Sequence, residues 1–126
     1  MTKPHFIAIS FGYGHGAPPA ARLTVDVRDW FKDPHVSPEL RALTGRDSEV
    51  IEKVLATPYV TGYLIAQMRV IEYLLNYGVD VTFAVGCVGG RHRSVVIADA
   101  LAEWLAGAGR HARAQQRDLD KDVIQR

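Results

Sequence analysis

The sequence predicts a single α/β domain with roughly four strands in a mostly parallel or mixed sheet, flanked by helices. The chain has 126 residues, which is enough for one hydrophobic core and too few for two ordinary domains. Short apolar, β-prone runs alternate along it with longer segments of helical periodicity. Apolar residues make up 48% of the chain and charged residues 23%, the balance of a globular protein that folds on its own.

Two strands and a long loop are predicted first. The run from Phe6 to Phe11 (Phe-Ile-Ala-Ile-Ser-Phe) ends at the glycine-rich turn Gly12-Tyr-Gly-His-Gly, which is typical of a buried strand entering a turn. Leu23 to Val27 predicts a second strand. Residues 28–45 contain two prolines and show little periodicity, so they are predicted to form a long ordered loop.

Two helices are predicted next. Asp47 is placed to cap a short helix whose apolar residues fall on one face. Thr57 is placed to cap a longer helix, with Pro58 at its first position and Gly78 as its stop.

The second half of the chain predicts a strand, a helix and a strand. Val81 to Val85 is a continuous apolar run, the pattern of a central strand covered on both faces. A helix is predicted from Ser94, and its buried stripe includes Trp104. A polar strand at His111 to Gln116 completes a domain of residues 1–117, and residues 118–126 are predicted to be a charged tail.

Composition excludes several classes of function. The net charge of +1 produces no overall attraction to nucleic acid or to an anionic membrane. No segment approaches the ~18 apolar residues that span a bilayer, and the start resembles no signal peptide, so no membrane partner and a cytoplasmic location are expected. Cys87 is the single cysteine, which excludes an internal disulfide and a cysteine cluster for zinc. No metal site and no cofactor are expected.

The segment Gly86-Cys-Val-Gly-Gly-Arg-His-Arg-Ser94 is the predicted phosphate-binding loop. It joins a central strand to a helix, where open α/β sheets place their ligands. Gly89 and Gly90 let main-chain N–H groups turn inward, and the helix start adds partial positive charge. Arg93 supplies a planar donor fork and is expected to contribute most among the side chains, while Arg91 and His92 add donors. The alternative is a plain turn with solvated arginines, but so many anion-binding residue types in one short segment favour an anion site.

This loop resembles the Gly-Cys-Thr-Gly-Gly-x-His-Arg-Ser motif in the C-terminal domain of the RNase adapter protein RapZ family. The resemblance covers nearly the whole chain and extends through several further segments: Ser10-Phe-Gly-Tyr-Gly-His-Gly-Ala-Pro18, Asp26-Val-Arg28, Asp33-Pro-His-Val36, Pro38-Glu-Leu-Arg41 and Leu43-Thr-Gly-Arg-Asp47.

The resemblance implies a regulatory domain that binds an amino-sugar phosphate, glucosamine-6-phosphate, and is coupled to an RNA or protein partner. It also implies a homo-oligomer. The implied phosphate site comprises Cys87, Val88, Gly89, Gly90, Arg93 and Ser94, with His35 and Arg28 approaching from the loop after the second strand. Taken alone, His35 reads as a loop histidine that packs on a neighbour, and Arg28 as a partner of Asp26 or Asp29. His15, between two glycines, is a weaker candidate.

The sequence departs from the family pattern in three respects. Val88 stands where the family has Thr, which removes a hydroxyl and leaves the ligand's identity open. The family's N-terminal domain, with its Gly-x-x-x-x-Gly-Lys-Ser nucleotide loop, is absent from the sequence, so nothing here implies ATP hydrolysis. The end that is basic in the family is here Asp118-Leu-Asp-Lys-Asp122.

Two other functions remain open. Cys87 and Arg93 have the Cys-x5-Arg-Ser spacing of cysteine-dependent phosphatases, in which a thiolate attacks phosphorus. Gly86 stands where those enzymes usually have His, and no general acid is assignable, so enzymatic activity is the alternative. RNA binding is the other function, because residues 86–117 hold five arginines against two acids, a net of +3. Aromatic side chains for base stacking are absent there apart from Trp104.

Overall fold

The structure is a computed structural model that describes residues 3–124. Met1 and Thr2 of the predicted domain and Gln125 and Arg126 of the predicted tail lie outside the described residues. The strands are β1 (His5–Gly12), β2 (Leu23–Asp26), β3 (Val81–Cys87) and β4 (His111–Gln116). The helices are α1 (Pro38–Arg41), α2 (Ser48–Leu55), α3 (Val60–Asn76) and α4 (Arg93–Gly107), with short 3-10 turns at Tyr13–His15 and Pro34–Val36.

The four strands form one parallel sheet in the order β2-β3-β1-β4. This confirms the predicted single-domain α/β fold and each predicted strand. The central strands β1 and β3 end together, because Gly12 is paired with Cys87. Both strands therefore deliver their following loops to the same edge of the sheet.

The helical layer packs on one face of the sheet. Phe6 and Ala8 of β1 and Phe83 and Val85 of β3 share a buried core with residues of α2, α3 and α4. Alternate residues point to the other face, where Ile7 and neighbouring side chains lie outside that core. Both β3 and α4 pack into this core, and the loop between them lies at the carboxyl edge of the sheet.

The segment after β2 contains more regular structure than expected. Residues 28–45, predicted as a loop, include the 3-10 turn Pro34–Val36 and the one-turn helix α1. Asp33 caps the 3-10 turn by accepting from the main-chain N–H of His35 at 3.0 Å. Local prolines and a capping carboxylate form these turns without the apolar periodicity that identifies longer helices.

The predicted start of the long helix is wrong. The α3 helix begins at Val60, after Tyr59, which takes a left-handed conformation with φ of 70°. Thr57 does not cap the helix, because its Oγ1 atom accepts from the main-chain N–H of Lys32 at 2.8 Å. The hydroxyl group that was predicted to cap the helix is therefore bonded to a residue distant in sequence.

Trp104 was expected in the core, but 42% of it is exposed. It lines a groove of about 430 Å³ between α2, α3 and α4. The other residues of the predicted buried stripe, Ile97, Leu101 and Leu105, are buried. The stripe predicted from spacing was therefore wrong only in including Trp104.

Within residues 3–124 no helix combines the length and apolarity needed to cross a membrane. In the same range, no three His, Cys, Asp or Glu side chains come together as a metal site would require.

Candidate anion-binding site

The loop of residues 86–94 packs directly against the end of β1. A Cβ atom on Gly12 would lie 2.3 Å from the carbonyl carbon of Gly89. Gly90 has φ of 69°, and a Cβ atom there would lie 2.5 Å from the main-chain nitrogen of Gly12. Only glycine allows this close approach in a left-handed conformation. The two glycine-rich segments thus form one site.

Several carbonyl groups of the loop accept main-chain hydrogen bonds, whereas four of its N–H groups have no acceptor in the part of the chain that the structure describes. Val88 accepts from the main-chain N–H of Gly14 at 2.9 Å, and Arg91 accepts from that of Gly45 at 2.8 Å. Among the described residues, none accepts a hydrogen bond from the main-chain N–H groups of residues 89–92. These donors lie just before α4, whose N-terminal end carries partial positive charge. Consecutive free N–H groups at a helix start are suited to an anion.

His92 is buried beside this loop, with only 4% of it exposed. Burial lowers the pKa of its imidazole, and the charge of Arg91 lowers it further. Hydrogen bonds to the main chain of Leu43 and Arg41 and the charge of Asp33 act in the opposite direction, but the pKa stays below its ordinary value. Its Nε2 atom has no hydrogen-bond partner among the described residues. His92 lines a space of about 10 Å³ with His35, Gly89 and Arg91. A neutral imidazole with an unused nitrogen at an anion site is able to take up a proton when a ligand binds.

Arg93 is buried with only 2% exposed, and its guanidinium contacts the segment after β2. Nη1 donates to the carbonyl of Arg28 at 2.7 Å, and Nη2 pairs with Asp33 at 3.2 Å. Nη1 also lies within hydrogen-bond distance of the carbonyls of Val27 and Phe31. The Nε atom is buried with no partner in residues 3–124. Most of the donor fork therefore holds the chain around the site.

The other basic candidates also contact the protein itself. Arg91 donates to the carbonyls of Ala42 and Leu43. Arg28 forms a bidentate ion pair with Asp26 and stacks on the ring of Tyr13 at 3.7 Å. The pairing with Asp26 is one of the two that the sequence suggested for Arg28.

His35 lies beside the loop. It is 8% exposed and lines the same small space as His92. Its carbonyl accepts from Nε of Arg41 at 2.8 Å, which anchors the segment that presents it.

Cys87 and Ser94 meet beneath the loop. The Sγ atom of Cys87 lies 3.2 Å from the Oγ atom of Ser94, and both residues are buried. This contact joins the end of β3 to the first turn of α4. Val88 between them contributes no polar side-chain atom.

Sequence reasoning missed Asp118, which it assigned to the charged tail. Its carboxylate is fully buried and accepts from the main-chain N–H of Gly12 at 2.8 Å. Arg117 and Lys121 pair with it at 2.9 Å and 2.7 Å. Burial alone would raise the pKa of Asp118, but these hydrogen bonds outweigh it and hold the pKa at about 2. An acid among other charges resembles a solvated residue, so only the apolar Leu119 beside it hinted at burial.

His15 also lies closer to the site than its sequence suggested. The 3-10 turn that contains it follows β1, and Gly14 in that turn bonds to Val88 of the loop. Its Nε2 atom is buried without a partner among residues 3–124. The rare Gly-His-Gly spacing was the available signal.

Comparison with known families decides the relationship. A family model described as the RapZ C-terminal domain matches residues 5–120. The chain belongs to this family. The resemblance carried by the loop and the flanking motifs is thereby confirmed.

Curated relatives of the RapZ C-terminal domain family share this region within longer chains, and each of the following is named "Nucleotide-binding protein". The one from Acidothermus cellulolyticus is 46% identical over 123 residues, which are 94% of this chain and 38% of the relative. The one from Desulforudis audaxviator is 39% identical over 121 residues, or 92% of this chain and 41% of the relative. The one from Nocardioides sp. is 39% identical over 119 residues, which are 90% of this chain and 39% of the relative. The chain thus spans about two-fifths of the length of these relatives.

Proposed function

We propose that this RapZ C-terminal domain binds a phosphorylated small molecule at the 86–94 loop and that the bound ligand alters its contacts with a regulatory partner. The observation that carries the proposal is the run of main-chain N–H groups at residues 89–92, which have no acceptor among residues 3–124 and lie before the positive end of α4. Unmade hydrogen bonds of this kind are costly unless water or a ligand completes them.

An amino-sugar phosphate such as glucosamine-6-phosphate is the proposed class of ligand, from the family resemblance. The phosphate would use the loop's N–H groups. His35 and His92 line the space beside the loop, and the Nε2 atom of His92, which has no partner among residues 3–124, would contact the remainder of the ligand. Val88 in place of Thr removes one hydroxyl contact and so is expected to lower the affinity for that sugar.

The relatives' name, "Nucleotide-binding protein", describes proteins more than twice as long as the shared region. The present 126 residues contain no Gly-x-x-x-x-Gly-Lys-Ser or Thr segment. We therefore propose that this region's own ligand contact is the 86–94 loop, and that ATP hydrolysis is not a property of the domain.

The direct test is a titration of the isotope-labelled protein followed by amide NMR. Inorganic phosphate and glucosamine-6-phosphate should shift the amide signals of residues 89–92 most, because these N–H groups would donate to the anion. Glucosamine without phosphate is the matched control and should leave them unchanged. An absence of shifts at the loop with both anions would refute the proposal.

A cysteine-dependent phosphatase is the second candidate, and the 3.2 Å contact between Cys87 and Ser94 favours it. A hydroxyl group at this distance forms a hydrogen bond with the sulfur atom that would act as the nucleophile. Against it, Arg93 donates to main-chain carbonyls and to Asp33, and Cys87 is 2% exposed. Hydrolysis of a generic aryl phosphate that disappears in Cys87→Ser while phosphate binding survives would establish the enzyme.

RNA binding is proposed only as a weak, salt-sensitive contact. Of the arginines in residues 86–117, Arg93 is buried, Arg91 donates to main-chain carbonyls, and Arg117 is paired with Asp118. Arg113 on β4 is exposed. Few free cations mean few phosphate contacts, so gel-shift affinity should be low and fall steeply with salt.

A further inference from the structure

A segment at the end of the described chain covers the candidate site. We call residues 118–124 the C-terminal strap. A Cγ1 atom of Ile124 lies 3.1 Å from the position of a Cβ atom on Gly14, and 3.9 Å from that on Gly89. Val123 and Ile124 also line the small space beside His92. The strap thus contacts both glycine-rich segments that form the site.

The space left under the strap is too small for the proposed ligand. Its volume is about 10 Å³. A single water molecule needs a cavity of ~10–15 Å³. A phosphate group with its tetrahedral shell of oxygens is several times larger. Access therefore requires Val123 and Ile124 to move.

The two ends of the strap differ in how firmly they are held. At its start, the buried carboxylate of Asp118 is bonded to Gly12, Arg117 and Lys121. At the far end, Val123 and Ile124 are only half-buried, and neither residue lies in a helix or strand. Lifting the far end exposes little apolar surface, whereas displacing Asp118 would break its ion pairs with Arg117 and Lys121 and leave the Gly12 N–H without its acceptor.

We propose that the C-terminal strap is a built-in cover of the anion site, which pivots at Asp118 and lifts at Val123 and Ile124 when a phosphorylated ligand enters. This inference rests on the proposed function, since it regulates the same site. Ligand and closed strap compete for one space, so each must weaken the other by the same factor. The strap's released end then becomes the part of the domain that differs between free and bound states.

The test compares wild type with Ile124→Ala, using inorganic phosphate as the probe. Truncating Ile124 loosens the cover, and calorimetry should show phosphate binding about fivefold tighter, because more of the protein is then open before the ligand arrives. Ile65→Ala is the matched control, since Ile65 lies on α3 and is 41% exposed. It should leave the affinity unchanged.

Amide hydrogen exchange in wild type is the second measurement. Phosphate should speed exchange in residues 119–124 while it slows exchange in residues 89–92. Equal affinity in both proteins with no change in strap exchange would overturn the cover and leave phosphate binding intact. Weaker binding in Ile124→Ala would also overturn it, because Ile124 would then be a ligand contact. No phosphate binding to either protein would overturn the proposed function and the cover together.

Discussion

Arg93 ties the start of α4 to the segment that follows β2. From its spacing alone, it was expected to be the largest side-chain contributor to phosphate binding. Its hydrogen bonds to the carbonyl of Arg28 and to Asp33 give it a second role, which is to hold one wall of the site. A variant at this position could therefore lose ligand binding because the fold is destabilised, so its stability must be measured together with its affinity.

We expect Arg93→Ala to lower the free energy of unfolding by about 3–5 kcal/mol, because it leaves Asp33 and several carbonyls without their buried cation. Arg93→Lys should recover only part of this, since an ammonium group cannot reach both sides as the planar guanidinium does. Chemical denaturation measures both. Arg113→Ala, at an exposed site on β4, should stay within about 0.5 kcal/mol of wild type. Equal stability of Arg93→Ala and wild type would contradict this role.

His92 should make anion binding depend on pH. Burial lowers the pKa of its imidazole in the free protein, so it is neutral near pH 7, and an anion beside it would raise that pKa. Binding then takes up a proton, and affinity should increase as pH falls from about 7.5 to about 6. Sulfate is the appropriate probe in calorimetry, since it does not titrate in this range.

The dependence should disappear in His92→Gln. His35 lines the same space, and Arg91 and Asp33 act on His92 with opposite charge effects, so His35→Gln is the necessary comparison. It should retain the slope. If the slope is lost in His35→Gln and kept in His92→Gln, the proton is taken up by His35 and the prediction for His92 is wrong.

At the level of elements, the site depends on how closely two loops approach each other. The turn after β1 and the loop after β3 meet because the two strands are paired to their last residues, Gly12 and Cys87. Gly90 takes a left-handed conformation at this contact. The loop's geometry is thus a product of the sheet register as well as of its own residues.

Gly90→Ala and Gly62→Ala should have opposite effects on stability. A Cβ atom on Gly90 would lie 2.5 Å from the nitrogen of Gly12 in a backbone conformation that alanine disfavours, so we expect a loss of about 2 kcal/mol or more. A Cβ atom on Gly62 in α3 would meet nothing within 4 Å, so helix propensity should raise stability by about 0.5–1 kcal/mol. Thermal and denaturant unfolding of the two variants is the measurement. If the two variants change the free energy of unfolding by similar amounts and in the same direction, the loop tolerates displacement at Gly90 and the prediction is wrong.

At the scale of the whole molecule, Asp118 connects the end of the chain to the end of β1. Its pKa of about 2 lies below the ordinary 3.8, so the folded state releases this proton more readily than the unfolded state does. The resulting stability is present above about pH 4 and is lost as pH falls towards 2.

Asp118→Asn should lower the free energy of unfolding near pH 7 by about 1.5–3 kcal/mol, because charge-assisted hydrogen bonds are replaced by neutral ones. The difference from wild type should shrink as pH falls through the range from about 4 to 2. Denaturant titrations at several pH values measure it. Asp120→Asn, at an exposed neighbouring acid, is the control and should show no such convergence. A constant difference across pH would exclude Asp118 as the source.

The sequence by itself determined the α/β class, the four strands and the position of the 86–94 loop. Apolar runs such as Val81 to Val85 and the glycines before α4 are local signals, and local geometry expresses them directly. The tertiary structure decided which polar groups are free. In the folded chain, Arg93 donates to the segment after β2, and Thr57 accepts from Lys32 instead of capping α3. Asp118 is buried beside the end of β1. Those outcomes depend on partners 25 to 106 residues away, which no local pattern specifies. Spacing shows which residues have donors, but only packing determines where those donors point.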